Sequence, residues 1–140
     1  MKVMFVTNEY PPYIYGGAGV HVEYLSKELA KLMEVEVRSF HDQQSRDGNL
    51  VVNGKTPDAS LFKDCPKELT SPLKALYEGL VFSGENITAD IAHCHTWYAH
   101  FAGILAKMLY GIPLVVTVHS LEPLRPWKRE QLGRGYDVSS

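Results

Sequence analysis

The chain has 140 residues, of which 45% are hydrophobic and 21% charged, and its formal net charge is −2. This length suffices for one domain with a core, and the charge does not favour binding to nucleic acid or to an anionic membrane. No apolar run approaches the roughly 18 residues of a membrane-spanning helix, and we expect no signal peptide. Two cysteines are too few for a disulfide framework, so a cytoplasmic location is predicted.

The first half of the chain begins with a short apolar strand, predicted over residues 3–7, and an amphipathic helix over residues 20–32. The apolar face of this helix consists of Val22, Leu25, Leu29 and Leu32. Residues 35–40 alternate between apolar and polar and are predicted to form a second strand. Residues 41–71 are polar and rich in turn residues, and a hairpin around residues 50–52 is one interpretation of them.

In the second half, Pro72 is placed well to be the first residue of a helix that runs to residue 83. Its predicted apolar stripe is Leu73, Leu76, Leu80 and Val81. A third parallel strand is predicted over residues 91–94, and a helix over residues 98–110 that Gly111 ends. The β-branched run at residues 113–118 predicts another strand, which we place centrally in the sheet, and a short, charged helix start follows it.

Strands that alternate with helices predict an α/β fold, a Rossmann-like parallel sheet with helices on both faces and right-handed crossovers. Ligands of such sheets bind at the carboxyl ends of the strands. Three segments should therefore converge at one edge, namely residues 7–19, 95–98 and 119–128. These segments hold most of the unusual residues of the chain, which predicts a binding site there.

A glycine-rich turn, Gly16-Gly17-Ala18-Gly19, lies between the first strand and the first helix. The first N–H groups of a helix have no intrahelical partner, so this arrangement favours phosphate. Gly17 is expected either to have a positive φ or to lie close to the ligand, since a Cβ would oppose both. The alternative is a tight turn without a ligand. The turn is not the dinucleotide fingerprint, because Val22 stands at the third glycine position and no acidic residue ends the second strand.

Histidines are concentrated near the predicted strand ends. His93 and His95 should share one face of a strand, with Cys94 on the other, and we interpret His93 as a half-buried structural residue. His95 lies nearer the strand end, where a functional role and a structural one stay open. His119 directly follows an apolar strand, which favours binding or catalysis, and His21 is expected near it. A metal site is disfavoured because no carboxylate lies among these imidazoles.

Two further pairs are open to more than one interpretation. Trp97 and Tyr98 suit stacking on sugar rings if they are exposed, or capping of a helix if they are buried. Arg125 and Lys128 suit a phosphate or carboxylate ligand, or else a solvated loop.

Four strings together carry a resemblance to a known family. They are NEYPP at residues 8–12, GGAGVHV at 16–22, HCHTWY at 93–98 and TVHSLEPLRPWK at 117–128. They resemble the N-terminal domain of glycogen synthases of the retaining GT-B glycosyltransferases of family 4, in the group that overlaps with maltose-1-phosphate synthases. The resemblance covers nearly the whole chain, and residues 41–71 are its least diagnostic part.

The resemblance implies two Rossmann-like domains with the active site between them. Gly16 and Gly17 would donate backbone N–H groups to the donor diphosphate, and His119 would act as the catalytic contact with the donor sugar. We expect acceptor or sugar binding by residues of the three convergent segments: Glu9, Tyr10, His95, Thr96, Trp97, Arg125 and Lys128. No metal and no cofactor are expected.

The expected partners are a nucleotide-sugar donor, ADP-glucose or else UDP-glucose, and an α-glucan or glucose 1-phosphate as acceptor. Residues 1–140 lack the basic pair and glutamate motif that bind the donor in this family, so we interpret them as a partial, acceptor-side domain. Such a fragment should be inactive alone and should self-associate. One alternative is a stand-alone phosphosugar- or nucleotide-binding module. A nicotinamide-dependent oxidoreductase is disfavoured by the missing fingerprint.

Overall fold

A computed structural model describes residues 1–56 and 58–139 of the chain and contains one six-stranded sheet. Its strands are β1 (Lys2–Thr7), β2 (Glu34–Phe40), β3 (Gln44–Asp47), β4 (Leu50–Lys55), β5 (Ile91–His95) and β6 (Leu114–Thr117). Their spatial order is β3-β4-β2-β1-β5-β6, and every neighbouring pair is parallel except β3 with β4. The predicted α/β class with a Rossmann-like parallel sheet is therefore confirmed.

Three long helices connect the parallel strands: α1 (Gly17–Leu29), α2 (Lys67–Gly84) and α3 (Trp97–Tyr110). Two short helices follow the sheet, α4 (Lys128–Leu132) and α5 (Tyr136–Ser139), and single 3₁₀ turns occur at Ala59–Phe62, Glu122–Leu124 and Gly133–Gly135. None of the helices in the described part of the chain is long and apolar enough to cross a membrane. Both cysteines are free thiols.

The core has two layers, one on each face of the sheet. On the face of α1, the apolar side chains of β1 and β2 pack with Val22 in a cluster that includes Phe5 and Val37. On the opposite face, α2 and α3 cover a cluster that includes Val6 and Cys94. Alternate residues of β1 enter opposite clusters because successive side chains of a strand point to opposite faces. Helices thus lie on both faces, as predicted.

The first helix differs from its predicted bounds. It begins at Gly17 rather than at residue 20 and ends at Leu29 rather than at residue 32. Leu32, predicted to belong to the apolar face, is 79% exposed. The helix starts early because the glycine turn is itself helical: the N–H of Val20 already donates to the carbonyl of Gly16 at 3.4 Å.

The second helix also begins earlier than predicted, at Lys67 instead of Pro72, and its buried face is not the leucine stripe. Leu80 is 57% exposed, whereas Ala75 and Phe82 are buried. Gly79 explains this rotation, because a Cβ built on it would lie 2.7 Å from the ring of Phe101 in α3. A side chain at this position would clash with α3, so α2 packs against α3 through Gly79.

The structure extends one strand prediction and corrects another. The hairpin that was one interpretation of residues 41–71 is confirmed over residues 44–55, but its pairing in the sheet was not predicted: β4 pairs in parallel with β2, so the sheet in the described part of the chain has six strands rather than four. The strand predicted over residues 113–118 is β6. In the sheet formed by the described residues it lies at the edge, not at the centre. The valines of this segment are accordingly exposed: Val115, Val116 and Val118.

A buried ion pair links the sheet to α2, and the sequence analysis did not predict it. The Arg38 Nε donates to Glu36 Oε1 at 2.7 Å, both side chains lying on the α2 face of β2. The two terminal nitrogens of Arg38 donate to the carbonyls of Phe82, Glu85 and Asn86. Arg38 thus binds carbonyls at the end of α2 that have no partner within the helix, which explains why a buried arginine is tolerated.

Candidate functional site

The carboxyl ends of the parallel strands meet at one edge of the sheet, as the sequence predicted. The hydroxyl of Thr96, after β5, donates to Asn8 Oδ1, after β1, at 3.2 Å. Among the described residues other than glycine, only His41 and Thr96 have positive φ, at 78° and 66°, and both lie at this edge. Backbone strain of this kind persists where the surrounding structure holds it, often at functional sites.

The glycine turn holds an anion from its own chain. Glu9 Oε2 accepts hydrogen bonds from the backbone N–H groups of Tyr15 at 3.2 Å and Gly16 at 3.1 Å. Gly16 is extended, with φ −163°, and precedes the first residue of α1. Glu9, predicted to bind a sugar, therefore occupies one of the two N–H groups predicted to bind phosphate.

Gly17 does not have the positive φ that was one of two expectations for this position. The positive-φ glycines of the described chain are Gly48, Gly111 and Gly133. A Cβ on Gly17 would meet nothing within 4 Å. The space beside its backbone is open, so close approach of a ligand, the other expectation for this position, is sterically allowed and stays a prediction.

Gly19 is the glycine of this turn that packing requires. A Cβ built on it would lie 2.6 Å from Glu9 Oε2 and 3.1 Å from Ile14 Cγ2. The sequence analysis does not single out Gly19 as a site residue. Its missing side chain makes room for Glu9 under the start of α1, so that Gly19 and Glu9 shape the turn together.

Four imidazoles, here called the histidine group, lie on the α1 face of β5: His21, His93, His95 and His119. The ring centroids of His21 and His119 are 5.4 Å apart, so the expected proximity of these two residues is confirmed. His93 and His95 share one face, with centroids 4.2 Å apart, and Cys94 is buried in the opposite cluster. No three His, Cys, Asp or Glu side chains within the described ranges form a group that could hold a metal ion.

Hydrogen bonds order the histidine group. His93 Nε2 lies 2.7 Å from the Thr117 hydroxyl, which agrees with the interpretation of His93 as a half-buried, satisfied residue. His95 Nδ1 lies 3.2 Å from His119 Nε2. His95 is 0% exposed, so it cannot touch a sugar in this structure; it lies beneath His119, which is exposed.

Three imidazoles of the histidine group, those of His93, His95 and His119, are neutral near pH 7. Burial, with smaller contributions from neighbouring imidazoles, lowers the pKa of His95 to about 3 and also lowers the pKa of His93. Burial likewise lowers the pKa of His119, as does nearby His21, and the Glu9 carboxylate only partly offsets this. Neutral imidazoles are hydrogen-bond donors at one nitrogen and acceptors at the other. His119 is therefore suited to hydrogen bonding a hydroxyl rather than to providing a fixed positive charge.

A cavity of about 680 Å³ opens at the same edge of the sheet, on the α2 face. It is lined by Asn8, Phe40, His41, Thr56, Lys67, Thr70, Ser71, Lys74 and Tyr98. These residues include two ammonium groups and several hydroxyls, and no carboxylate. This donor set favours a ligand that combines hydroxyl groups with negative charge, such as a sugar phosphate.

Part of the α2 side of this cavity was not predicted because the sequence placed the start of α2 at Pro72, which left Lys67 and Thr70 outside the helix. Lys74 falls inside the predicted helix but was not expected at the site. Lys67 is the first residue of the actual helix, and Thr70 and Lys74 follow it about one and two turns later. A signal was present, since Pro66 precedes Lys67-Glu68 and a proline beside an acidic first turn is typical of a helix start.

The remaining predicted residues are placed apart from the cavity. Tyr10 is buried, and its hydroxyl lies 2.7 Å from Ser26 Oγ, which fits a role in holding the loop against α1 better than contact with a sugar. Trp97 stacks on Tyr98 with centroids 4.0 Å apart and lines a separate cavity of about 250 Å³ between α2 and α3. Arg125 and Lys128 are half-buried after β6 and do not line the 680 Å³ cavity.

At the carboxyl edge of its Rossmann-like sheet the chain thus combines a glycine turn, an exposed histidine and a cavity lined by two lysines. Residues 15–138 match the family described as Glycosyltransferase Family 4, and the chain belongs to this family. The match extends over both the glycine turn and His119.

Relatives of known name agree with this assignment. The chain is 47% identical over 140 residues to an α-maltose-1-phosphate synthase of Mycolicibacterium smegmatis, and 43% identical over 142 residues to that of Mycobacterium tuberculosis. Each alignment covers all of this chain and 34% of the relative, so the chain spans about a third of their length. A glycogen synthase of M. tuberculosis is distant, at 22% identity over 87% of this chain and 34% of that protein. The likeness to maltose-1-phosphate synthases is thus much stronger than the likeness to glycogen synthases.

Proposed function

We propose that residues 1–140 are the acceptor-side domain of a retaining glucosyltransferase. It would transfer glucose from ADP-glucose, with UDP-glucose as the alternative donor, to glucose 1-phosphate, and an α-glucan is the alternative acceptor. In this proposal the nucleotide is bound mainly by a second domain outside these residues, and the protein works in the cytoplasm without a metal or cofactor.

The observation that carries the proposal is the 680 Å³ cavity. Lys67 and Lys74 bring two positive charges to it, and Thr70 and Ser71 add hydroxyls from the same helix. A glucan has no charge for these ammonium groups to pair with, whereas the phosphate of a sugar phosphate is negatively charged near pH 7. Relatives that align over the whole chain are named as maltose-1-phosphate synthases, which supports a sugar 1-phosphate as a substrate or product.

The donor side of the proposal rests on the α1 face. The open space at Gly17 gives the donor diphosphate access to backbone N–H groups at the start of α1, where the helix dipole favours negative charge. His119 would hydrogen-bond a hydroxyl of the donor sugar. As the diphosphate leaves, preorganised donors of this kind stabilise the developing charge without further reorganisation.

The test is a lysine substitution assayed with two acceptors in the complete enzyme. Lys74→Ala should raise the KM for glucose 1-phosphate about tenfold or more, the loss expected for one charge-assisted hydrogen bond. The KM for an unphosphorylated oligosaccharide acceptor should stay unchanged. Lys31→Ala is the matched control, because Lys31 lies on the surface beside Glu28, away from the cavity. An equal effect of Lys74→Ala on both acceptors would refute a phosphate role for the cavity.

A further inference from the structure

The buried position of His95 constrains where its proton can lie. Its side chain is 0% exposed and packs against the rings of Phe5, His21 and His93. Within the described residues its Nδ1 has one partner, His119 Nε2 at 3.2 Å, and its Nε2 has none. The position of the proton on this ring therefore decides whether its Nε2 is a buried N–H donor or a buried acceptor without a partner.

Two neutral arrangements satisfy the bond between the two rings. In the first, His119 donates from Nε2 to His95 Nδ1, and the proton of His95 then sits on Nε2 as a buried N–H without an acceptor. In the second, His95 donates from Nδ1 to His119 Nε2, and only an unprotonated nitrogen of His95 is left without a partner. Orphaned buried N–H groups are rarer in proteins than under-satisfied acceptors. The second arrangement is therefore favoured.

A charged His95 does not offer a third arrangement. The groups that interact with it electrostatically are four other imidazoles, those of His21, His93, His100 and His119, and none is a carboxylate. A positive charge on His95 would be buried away from water and close to other imidazoles, with no carboxylate to stabilise it. The ring therefore stays neutral. The proton shared between His95 and His119 must then belong to one ring or the other.

We infer that His95 is a positioning residue that holds His119 in the tautomer with its proton on Nδ1. This inference rests on the proposed function, in which His119 contacts the donor sugar. With its Nε2 occupied by His95, His119 has a protonated Nδ1 left for a ligand at the open edge of the sheet. His119 then acts as a neutral hydrogen-bond donor. Its Nδ1–H can donate to a hydroxyl oxygen of the sugar or to an oxygen of the leaving diphosphate.

The tautomer is measured directly by ¹⁵N NMR of the imidazoles, in which protonated and unprotonated ring nitrogens resonate far apart. In the 140-residue chain we expect His119 Nε2 and His95 Nε2 to be unprotonated at pH 7. His95→Phe keeps a ring but has no donor, so His119 should become a mixture of both tautomers. His95→Asn keeps a donor near the position of Nδ1 and should preserve the His119 tautomer. Thr117→Val is the control, because it removes only the hydrogen bond to His93.

The kinetic consequence is measured in the complete enzyme. His95→Phe should lower kcat by roughly tenfold to hundredfold, by analogy with the loss of a hydrogen-bond partner that orients a metal-bound imidazole, with a smaller change in donor KM. His95→Asn should restore much of this loss. A merely structural role for His95 predicts instead that both variants lose stability and that neither changes the tautomer of His119.

The outcomes separate this inference from the proposed function. If His119 in the unsubstituted chain carries its proton on Nε2, the positioning role is refuted, even where the His95 variants do not fold. The same holds if His95→Phe folds and leaves the His119 tautomer unchanged. If the tautomer is as expected but His119→Ala retains full kcat, the positioning inference about the two rings stands and the proposed role of His119 fails.

Discussion

Replacing Glu78 by glutamine should stabilise the protein at alkaline pH and leave its stability unchanged at acid pH. Glu78 lies in α2 and is 0% exposed, and neither carboxylate oxygen has a hydrogen-bond partner among the described residues. Burial raises its pKa from 4.5 to about 7, and the charge of Lys55 offsets this only in part. The ionised form is therefore disfavoured in the folded state.

The size of the effect follows from this pKa. A group whose pKa is higher in the folded state contributes stability below its unfolded pKa, and that contribution disappears as pH rises through the folded value. For Glu78 the loss takes place between pH 4.5 and about 7, and it corresponds to about 3 kcal/mol of unfolding free energy. Glutamine has nearly the same shape and no charge, so Glu78→Gln should avoid this loss.

The assay is urea unfolding of the original chain and the variant at pH 4.5 and pH 8. We expect the two proteins to unfold alike at about pH 4.5 and the variant to be more stable at about pH 8, by up to about 3 kcal/mol. Glu28→Gln is the control, because Glu28 is exposed on α1, where it pairs with Lys31 at the surface. A variant that is no more stable at alkaline pH would show that Glu78 is ionised at little cost, and the reasoning from its burial would be wrong.

Three further predictions concern the site and the sheet edge. His119→Ala should lower kcat of the complete enzyme about 100-fold or more with the fold intact, as circular dichroism would show; near-normal kcat would make His119 structural. Gly17→Ala should weaken donor binding by about 1–3 kcal/mol while leaving the melting temperature unchanged, whereas Gly19→Ala should lower the melting temperature because its Cβ meets Glu9. The 140-residue chain should self-associate through the exposed edge strand, and Val116→Lys should suppress this in light scattering; a clean monomer of the unsubstituted chain would contradict it.

The sequence was sufficient for features that depend on neighbours along the chain. The apolar run of β1 and the β-branched run of β6 predict strands, and Gly111 ends α3 in the left-handed conformation typical of a helix stop. The alternation of side chains along a strand correctly predicts that His93 and His95 share one face. These predictions succeed because local backbone geometry sets the periodicity.

Helix faces and bounds were less predictable, for a physical reason. The leucines of α2 show the correct helical spacing, yet Gly79 and Ala75 face α3 because close packing of two helices selects small residues at the contact. Similarly, α1 starts at Gly17 because the glycine turn joins the helix. Propensity and periodicity identify a helix, but tertiary contacts decide where it begins and which face it buries.

Only the tertiary structure decided which site residues meet. The register of β5 with β6 places His95 beside Thr117 and brings His119 over it, so that a residue expected to bind sugar becomes the buried partner of the exposed histidine. Glu9 reaches the N–H of Gly16 through a loop, and the lysines of α2 reach the sheet edge through the packing of that helix. The contacts of His95 with His119 and of the α2 lysines with the sheet edge join residues far apart in sequence, and they depend on strand order and helix packing, which no local pattern encodes.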